Sequence, residues 1–403
     1  MSGNTAIVVG AGIGGLTSAY ALQSSGWQVT VYERAPAIAP VGAGVGIAPN
    51  AVKALDHLGL GTALRERGQR QEALEIRLEK GARVGHIPAE GVERRYGAPF
   101  YALHRAELHR LLLAGLEPGT LRVGRRAEKV TTDAGQATVV LRAPDGVVAE
   151  SADLVVAADG VNSALRAQLF PGYPGPAFAG YTVWRGFAPA RSLNVPRVLS
   201  ETWGSGGARF GHAAVNDGQI YWFAAETIAE HARPAHDLAR LAARFRNWHE
   251  PIPAMLAASP PETLLRHDVY YLRERLPSFV HGRVVLLGDA AHAVTPDIGQ
   301  GACLAVEDAV TLAAAIGERG IDDGLRAYDR LRRPRTESMA RLSGRLGRIL
   351  QTASPTAALL RNTITAALPT PLLMKAVGGA LAWNPPYGTA TTGGRHIHGP
   401  VSD

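Results

Sequence analysis

A glycine fingerprint near the N-terminus constrains the fold of this chain more than any other feature. Residues 6–9 form a short apolar run, as a strand buried on both faces requires, and GxGxxG follows at Gly10, Gly12 and Gly15, with Gly14 inside the motif. In such a motif the first glycine allows a tight turn, the second admits a pyrophosphate and the third lets the next helix pack closely. The pattern predicts a strand–turn–helix unit that binds a dinucleotide; an ordinary glycine turn is the alternative.

The unit closes on a second strand that ends in Glu33, followed by Arg34. In dinucleotide-binding units, a carboxylate about 20 residues beyond the glycines accepts hydrogen bonds from a ribose diol. The same charge repels a 2′-phosphate, so NADP is not expected in this site. The unit alone leaves FAD and NAD equally open.

Length and composition set the scale of the molecule. A chain of 403 residues, 46% of them hydrophobic, suits one large domain or two interlocked ones with a substantial core. The net charge of +7 favours anionic ligands. No basic run is interleaved with aromatic residues, so nucleic-acid binding is not expected.

Targeting and redox signals are few. Cys303 is the only cysteine, so an internal disulfide is excluded and a cytoplasmic location is expected. The chain has no pattern of a signal peptide. The apolar stretch 355–382 is interrupted by Arg361, Lys375 and prolines. We therefore expect no integral membrane segment, although this stretch could lie on a membrane surface.

Periodicity and turn residues predict the order of the elements. In chain order they are a helix over 51–58, a hairpin over 74–96, a helix over 104–116, strands over 121–123, 137–142, 147–149 and 154–157, aromatic-rich strands between 181 and 227, helical residues 237–257 and a strand over 284–287. Asn50 is expected to cap the helix over 51–58, and the residues at 144–146 predict a hairpin turn. The tail from 303 is expected to be helical, with a break at Pro334 and a loose end.

The aromatic-rich strands predict a second, sheet-based domain inserted into the dinucleotide domain. The strand at 284–287 returns to the first unit, which makes the dinucleotide domain discontinuous. The predicted division is 1–73, 97–172 and 266–320 for the dinucleotide domain, 74–96 and 173–265 for the sheet domain, and 321–403 for a C-terminal helical region.

Two more strands each deliver an acid and a glycine to their carboxyl ends. Asp159 and Gly160 follow one, and Gly288 and Asp289 follow the other. Ligands of open α/β sheets bind at these ends. The second motif runs on through residues 296–301 into a helix.

These three fingerprints resemble those of the class A flavoprotein monooxygenases, the family of the aromatic-ring hydroxylases. Their order and spacing match over roughly residues 4–335, and the branch of the salicylate and 3-hydroxybenzoate hydroxylases is the most similar. The resemblance implies an α/β fold like that of p-hydroxybenzoate hydroxylase. This fold has a Rossmann-like FAD-binding domain, an inserted mixed β-sheet substrate domain and a helical C-terminal tail.

The resemblance implies FAD in the glycine site. Glu33 would hold the adenosine ribose, Arg34 would lie beside the adenine, Arg105 would reach the phosphates and Asp289 the ribityl chain or the pyrophosphate. The other implied FAD-binding positions are Gly10, Gly12, Gly14, Gly15, Gly46, Asp159, Gly160, Gly288, Pro296, Gly299, Gly301 and Ala302. The helix after Gly301 would direct its positive end at reduced flavin. Cys303 stands where many relatives have Asn, so a buried small residue is expected there.

The implied reaction is aromatic hydroxylation. NADH or NADPH would bind transiently and reduce the flavin, which would then react with O₂ to give a C4a-hydroperoxide. One oxygen atom would enter an aromatic or polycyclic aromatic substrate, and the other would leave as water. Only one GxGxxG is present, so a separate domain for the nicotinamide is not expected. The chain is expected to act as a monomer or homodimer.

The substrate pocket is expected to be aromatic with one or two polar groups. Alternation places Tyr221 on one strand face and Trp222 on the other. Tyr221 is a candidate to bind a substrate hydroxyl, Arg185 to bind a carboxylate, phenolate or flavin edge, and His212 to act as the base. Gln300 and Asp297 are pocket candidates because of their positions in the third motif. The plain alternatives are a core tyrosine, an ion pair at the domain seam and a partly exposed histidine without a role.

Other features are expected to be structural. His292 should make a structural hydrogen bond, the arginines of 326–348 should form a solvated helix face, and His396 and His398 lack a third metal ligand. Other flavin chemistry remains open, namely an epoxidase or an oxidase; the Trp-x-Trp-x-Ile-Pro stretch of halogenases is absent. A non-catalytic binding protein on the same fold, like the Rab GDP-dissociation inhibitors, is the alternative of another class.

Overall fold

The computed structural model describes residues 3–38, 43–133, 135–230, 232 and 237–386. Residues 39–42, the predicted loose C-terminal end, and His396 and His398 lie outside the described residues.

Nineteen strands are found in the described part of the chain, in several sheets. In chain order they are β1 (Thr5–Val9), β2 (Gln28–Tyr32), β3 (Gly44–Ile47), β4 (Gln69–Arg70), β5 (Ala73–Leu78), β6 (Arg83–Pro88), β7 (Tyr101–His104), β8 (Leu121–Arg122), β9 (Arg126–Thr132), β10 (Ala137–Ala143), β11 (Gly146–Ala152), β12 (Leu154–Ala157), β13 (Pro176–Pro189), β14 (Leu199–Trp203), β15 (Arg209–Val215), β16 (Gln219–Thr227), β17 (Leu265–Leu272), β18 (Val280–His281) and β19 (Val284–Leu286).

Helices flank these strands and make up most of the described C-terminal part. They are α1 (Ile13–Ser24), α2 (Pro49–His57), α3 (Gly61–Arg67), α4 (Ala89–Tyr96), α5 (Arg105–Ala114), α6 (Ala164–Leu169), α7 (Leu238–Phe245), α8 (Ile252–Ala258), α9 (Asp289–His292), α10 (Gly301–Arg319), α11 (Ile321–Leu350), α12 (Pro355–Ala367) and α13 (Thr370–Leu381).

A six-stranded sheet carries the three fingerprints. Its order is β18-β19-β12-β1-β2-β8, and all neighbours are parallel except β18 and β19. The central strand β12 is buried at every position, as its unbroken apolar sequence predicts. Since β1, β12 and β19 are adjacent and parallel, the motifs that follow them share one edge of the sheet.

The aromatic-rich strands form the second sheet that the sequence predicts. Its order is β17-β13-β16-β15-β14-β5-β6; all neighbours are antiparallel except β14 and β5. Helices α7 and α8 pack on one face with Phe210, Trp222 and Phe245. The other face meets β7 of the small sheet β3-β7-β4, through Phe187 and Ala102. The sheet therefore has an outer face under α7 and α8, and an inner face toward the glycine motifs.

Two local predictions need correction. The hairpin predicted over 74–96 ends at Pro88, and residues 89–96 form α4, whose Val92 and Tyr96 join the main core. Asn50 does not cap α2, because it is the second residue of that helix and its side chain is buried. The division into domains stays a prediction.

The break predicted at Pro334 is also wrong. Helix α11 runs through the proline for 30 residues. Proline inside a helix costs about 3 kcal/mol, so other contacts must compensate. Arg332 and Arg335 on either side of it both bind Glu307 of α10, and these ion pairs hold the helix in place.

The described helices were compared with the length of a bilayer. None of them is by itself long and apolar enough to cross one; α12 and α13 meet the criterion only together, with a bend of 105° between them.

Candidate active site

The three fingerprints converge at the carboxyl edge of the six-stranded sheet. A Cβ atom at Gly10 would lie 2.4 Å from the carbonyl oxygen of Ala158, which directly precedes Asp159. A Cβ atom at Gly14 would lie 2.8 Å from the Leu287 side chain, next to the Gly288 motif. Segments that are far apart in the chain therefore form one site.

The glycines of the first motif divide into structural and open positions. Gly10 has φ +101°, which disfavours any side chain, and a Cβ at Gly15 would lie 1.9 Å from the Gly10 carbonyl. A Cβ at Gly12 would meet nothing within 4 Å beyond its chain neighbours. Gly10 and Gly15 therefore build the turn, and Gly12 leaves open space before the start of α1.

Glu33 holds the loop above this turn. Its two carboxylate oxygens accept backbone hydrogen bonds from Ala11 and Ala35, each at 2.9 Å. His109 contacts the Ala11 carbonyl at 2.6 Å from the other side. Arg34 is exposed beside Glu33. Glu33 thus stands at the predicted place, and its contact with a ribose stays a prediction.

Asp159 and Gly160 form the next part of the edge. Asp159 accepts hydrogen bonds from the Ser163 hydroxyl at 2.6 Å and from the Leu165 amide at 3.3 Å. It therefore fixes the turn into α6. Gly160 has φ +84°, and a Cβ there would meet nothing within 4 Å. The backbone at Gly160 therefore carries no side chain and has open space beside it.

The third motif places a carboxylate in the cleft between the two sheets. Gly288 has φ +61°, and its amide donates to Asp308 at 3.0 Å. Asp289 follows as the first residue of α9, and its side chain is exposed to the cleft although protein surrounds it. Burial raises the pKa of Asp289, and the charges of His292 and Arg105 partly oppose this effect. The site therefore combines an acid of raised pKa with a nearby cation.

Arg105 begins α5 on the opposite side of this cleft. Burial lowers the pKa of its guanidinium, Asp289 opposes the shift and Arg185 adds to it. Arg105 is therefore close to both Asp289 of the third motif and Arg185 of the seven-stranded sheet. This position fits an anionic group of a ligand.

The segment before α10 presents backbone to the same space. Pro296 begins a short 3₁₀ turn, Gly299 follows with φ +63°, and Gly301 is the first residue of α10, followed by Ala302. A Cβ at Gly299 or Gly301 would meet nothing within 4 Å. The N-cap residue Gln300 makes no side-chain cap, so the positive end of α10 faces this space.

Cys303 joins this segment to the glycine-rich strand β3. Its thiol contacts the carbonyls of Gly46 at 3.6 Å and Gly299 at 3.9 Å. Burial raises the pKa of this thiol to about 12, so it stays neutral at neutral pH. The sequence-based expectation of a buried small residue fits this position.

The inner face of the seven-stranded sheet forms the opposite wall. The register pairs Arg185 with Phe223 and Phe187 with Tyr221, so these four side chains share one face. A Cβ at Gly44 would lie 2.2 Å from the Tyr221 ring, which places this face against β3. Accessibility agrees with this orientation, because Tyr221 and Phe223 are partly exposed while Trp222 is buried.

Arg185 is the polar centre of this wall. Its guanidinium donates to His267 Nδ1 at 3.1 Å and lies near the Tyr221 phenol. Burial raises the pKa of Tyr221, and Arg185 partly reverses the shift. A cation, a phenol and aromatic rings thus face the glycine motifs.

Two of the proposed catalytic residues lie elsewhere. His212 pairs with Trp222 on the outer face of the sheet, where it is buried, so it is neither partly exposed nor able to reach the cleft as a base. The Gln300 amide oxygen is buried and accepts from Asn50 at 2.8 Å, so this side chain serves the interior. The alternation of side chains along β15 turns His212 to the outer face, and the hydrogen bond with Asn50 holds the Gln300 side chain in the interior.

A buried ionic network behind the third motif escaped the sequence-based interpretation. Asp308 accepts from His292 at 2.5 Å and from Arg332 at 2.6 Å, and Arg332 also binds Glu307 at 2.6 Å. His292 therefore makes the predicted structural hydrogen bond, but Arg332 is fully buried and is not part of a solvated face. A Glu-Asp pair inside the apolar sequence of α10 was the signal for this network.

Asp297 connects the two walls of the cleft. Its carboxylate accepts from Arg209 at 2.7 Å and from the Tyr181 hydroxyl at 2.9 Å, both on the inner face. Arg209 also binds Glu201 at 3.0 Å. Asp297, which was expected to line the pocket, therefore binds protein side chains instead. It fixes the seven-stranded sheet to the segment before α10.

The geometry fits an FAD molecule. A glycine turn with open space at Gly12 suits a pyrophosphate, and Arg105 adds a cation near it. The open backbone at Gly299 and Gly301 suits a flat ring, with the start of α10 beside it. Arg105 interacts with both Asp289 and Arg185, so the inner face of the seven-stranded sheet lies across from the third motif.

Comparison with known proteins gives relatives along almost the whole chain. The model of the family described as FAD binding domain matches residues 4–343. The chain is 36% identical over 367 residues to the aurachin C monooxygenase/isomerase of Stigmatella aurantiaca, covering 90% of this chain and 94% of that protein. It is 37% identical over 347 residues to the 3-amino-4-hydroxybenzoate 2-monooxygenase of Streptomyces cremeus, covering 84% and 86%.

Solved structures also match almost the whole chain. Klebsiella pneumoniae HpxO, complexed with FAD and uric acid, matches with a TM-score of 0.87 and 31% identity, covering 95% of this chain and 97% of that one. A salicylate hydroxylase substrate complex matches in fold, with a TM-score of 0.75 and 24% identity, covering 95% and 99%.

Proposed function

This chain belongs to the FAD binding domain family as an FAD-dependent monooxygenase, and from that premise we propose that it hydroxylates an aromatic or polycyclic aromatic small molecule. The predicted resemblance, the Rossmann-like fold and the FAD cofactor are confirmed by these relatives. Bound FAD would supply the redox chemistry, taking a hydride from NAD(P)H and activating O₂ so that one oxygen atom enters the substrate and the other leaves as water.

The observation that carries the proposal is that the Arg185 guanidinium lies near the Tyr221 phenol on the inner face. Both side chains are accessible in the cleft, and both stand opposite the groups that would hold FAD. A cation beside a phenol favours a ring with an acidic hydroxyl or carboxylate, because it stabilises the anion of that group. Phe187 and Phe223 on the same face supply apolar contact for the ring.

The residues that would hold FAD divide by the part of the cofactor they suit. Gly12 and the start of α1 suit the pyrophosphate, and Arg105 would neutralise it. Glu33 suits the adenosine ribose. Asp289, with its raised pKa, suits hydroxyl groups of the cofactor. The start of α10 at Gly301 would stabilise negative charge on the ring by about 1 kcal/mol.

Three finer points belong to the same proposal. We propose a cytoplasmic location on the basis of the single cysteine, and a monomer or a homodimer. Either NADH or NADPH would serve as the transient reductant, with O₂ as co-substrate. An aromatic small molecule is the partner that the cleft suits.

The test is product formation by the purified protein. We expect bound yellow flavin, and NADH or NADPH consumption that accelerates when phenolic acids or larger polyphenols are added. With labelled O₂, the hydroxylated product should carry the label. Purified protein that lacks flavin and takes none up, or product without label, would contradict the proposal.

A matched pair of variants tests the role of the inner face. Arg185→Met should raise KM for an anionic aromatic substrate by about 10- to 100-fold, since a charged hydrogen bond is lost. Arg240→Met removes an arginine that binds Glu226 on the outer face, and it should leave KM unchanged. Equal effects of the two variants would argue against a substrate role for Arg185.

A further inference from the structure

Helix α12 has its polar and apolar faces reversed. The residues it buries are Ala358, Arg361 and Thr365. Its outward residues include Leu359 at 67% exposure, Leu360 at 61% and Ile364 at 51%. A helix that rests on a protein in water normally buries its leucines and exposes its charges, so this arrangement indicates that the outer face of α12 meets something other than water.

The apolar surface continues beyond α12. Leu368, in the bend, is 36% exposed, and Leu372 on α13 is 50% exposed. Between residues 353 and 374 the only charged residue is Arg361, which faces inward. The exposed apolar side chains of this segment therefore have no exposed charged residue among them in the sequence. We call the set Leu359, Leu360, Ile364, Leu368 and Leu372 the leucine surface.

Cations stand beside this surface. Lys375 lies three residues after Leu372, about one turn along α13. With Arg94 and Arg95 of α4, and Lys53 of α2, Lys375 lines a pocket of about 730 Å³. No acidic residue is among the described residues that line this pocket. The rim of the leucine surface is therefore positively charged.

The two helices are fixed along the body of the protein. Arg361 donates to the carbonyls of Leu350 and Gly204, and Thr370 donates to the carbonyl of His86. Tyr96 donates to the carbonyl of Met374. With the 105° bend between α12 and α13, these bonds keep the pair in a position to lie on a surface rather than to cross one.

We propose that the leucine surface docks on an anionic phospholipid membrane. The leucines enter the boundary between headgroups and acyl chains, and Lys375, Arg94 and Arg95 face the phosphates. A second copy of the chain fits less well. An isologous contact through this surface would bring the same cationic rims of two copies together.

Vesicle sedimentation tests the proposal with the flavin-loaded, full-length protein. We expect binding to sucrose-loaded vesicles of equimolar phosphatidylcholine and phosphatidylglycerol. Binding to phosphatidylcholine alone should be at least about tenfold weaker, because three cations lose their anionic partners. Added salt should weaken binding to the mixed vesicles.

Variants distinguish membrane binding through the leucine surface from nonspecific hydrophobic adsorption. Leu359→Asn with Leu360→Asn should weaken vesicle binding by at least about tenfold, with unchanged flavin content and hydroxylation in solution. The control is Val147→Asn with Val148→Asn, which changes an exposed apolar pair on β11 and should leave binding unchanged.

Four outcomes would overturn the proposal. They are no sedimentation with any vesicle, equal binding to phosphatidylcholine alone, an equal loss in the control variant, and a wild-type oligomer that dissociates in the Leu359→Asn, Leu360→Asn variant. Sedimentation velocity without lipid detects the last case, in which a second copy covers the surface. A repeat of the vesicle assay with Lys375→Gln should show weaker binding to the anionic vesicles only.

Discussion

The guanidinium of Arg209 donates to the carboxylate of Asp297 at 2.7 Å, and both side chains are almost fully buried. Arg209 lies on the inner face of the seven-stranded sheet, and Asp297 lies on the segment before α10. The pair therefore joins the substrate wall to the cofactor wall of the cleft. Breaking it would leave a buried charge with fewer partners, which is costly.

A double-mutant cycle measures the coupling free energy between Arg209 and Asp297. Arg209→Met and Asp297→Asn should show a coupling free energy of about 2 kcal/mol or more in urea unfolding, because the pair is desolvated. The exposed pair Arg326 and Asp323, treated with the same changes, should show less than about 0.5 kcal/mol. A coupling for the buried pair as small as that of the exposed pair would contradict the assignment.

Two glycines of the first motif should respond differently to alanine. Gly15→Ala should cost more than about 3 kcal/mol of unfolding free energy, because the new Cβ would lie 1.9 Å from the Gly10 carbonyl. Gly12→Ala meets no such contact, so the apoprotein should keep its Tm while FAD binds at least about tenfold more weakly.

The measurements are thermal unfolding of the apoprotein and flavin titration. Gly317→Ala is the control, since its Cβ would also meet nothing within 4 Å and it lies on the exposed side of α10. Unchanged FAD affinity in Gly12→Ala would show that the cofactor does not approach this glycine.

His212 should make stability depend on pH. Burial, with the charges of His249 and Arg77, lowers the pKa of His212 to about 4. The unfolded chain, with a pKa of about 6.5, binds the proton first. As pH falls from about 6.5 to about 4, the folded state should lose up to about 3 kcal/mol through this group.

Urea unfolding at a series of pH values checks this. His212→Met should flatten the stability profile in that window, whereas the exposed His281→Gln should leave the profile as in the wild type. Parallel profiles for wild type and His212→Met would mean that His212 does not titrate as a buried group.

Arg332 should matter far more than its neighbours on α11. Arg332→Met leaves Glu307 and Asp308 short of a buried partner, and it should cost about 3–5 kcal/mol. Flavin retention should also fall, since Asp308 holds the amide of Gly288. Arg341→Met, an exposed change on the same helix, should cost less than about 0.5 kcal/mol, and chemical unfolding of the two variants provides the comparison.

Local rules predicted the backbone turns of the three glycine and acid motifs. The turn at Gly10 needs φ +101°, a backbone property that the motif encodes within a few residues. Alternation along β16 likewise predicted the opposite faces of Tyr221 and Trp222, because successive side chains of a strand always alternate. The three motifs met because each follows a parallel strand of one sheet.

Long-range contacts decided the rest. Asn50, expected to cap its helix, instead donates to Glu307, 257 residues away, and Pro334 stays helical because Arg332 is held by the same acid. His212 obeys the alternation, but its role depended on which face of the sheet α7 and α8 would cover. The residues alone determined turns, alternation and strand ends, which depend on neighbouring backbone; which face became pocket, core or leucine surface was settled only by packing between segments that are distant in the chain.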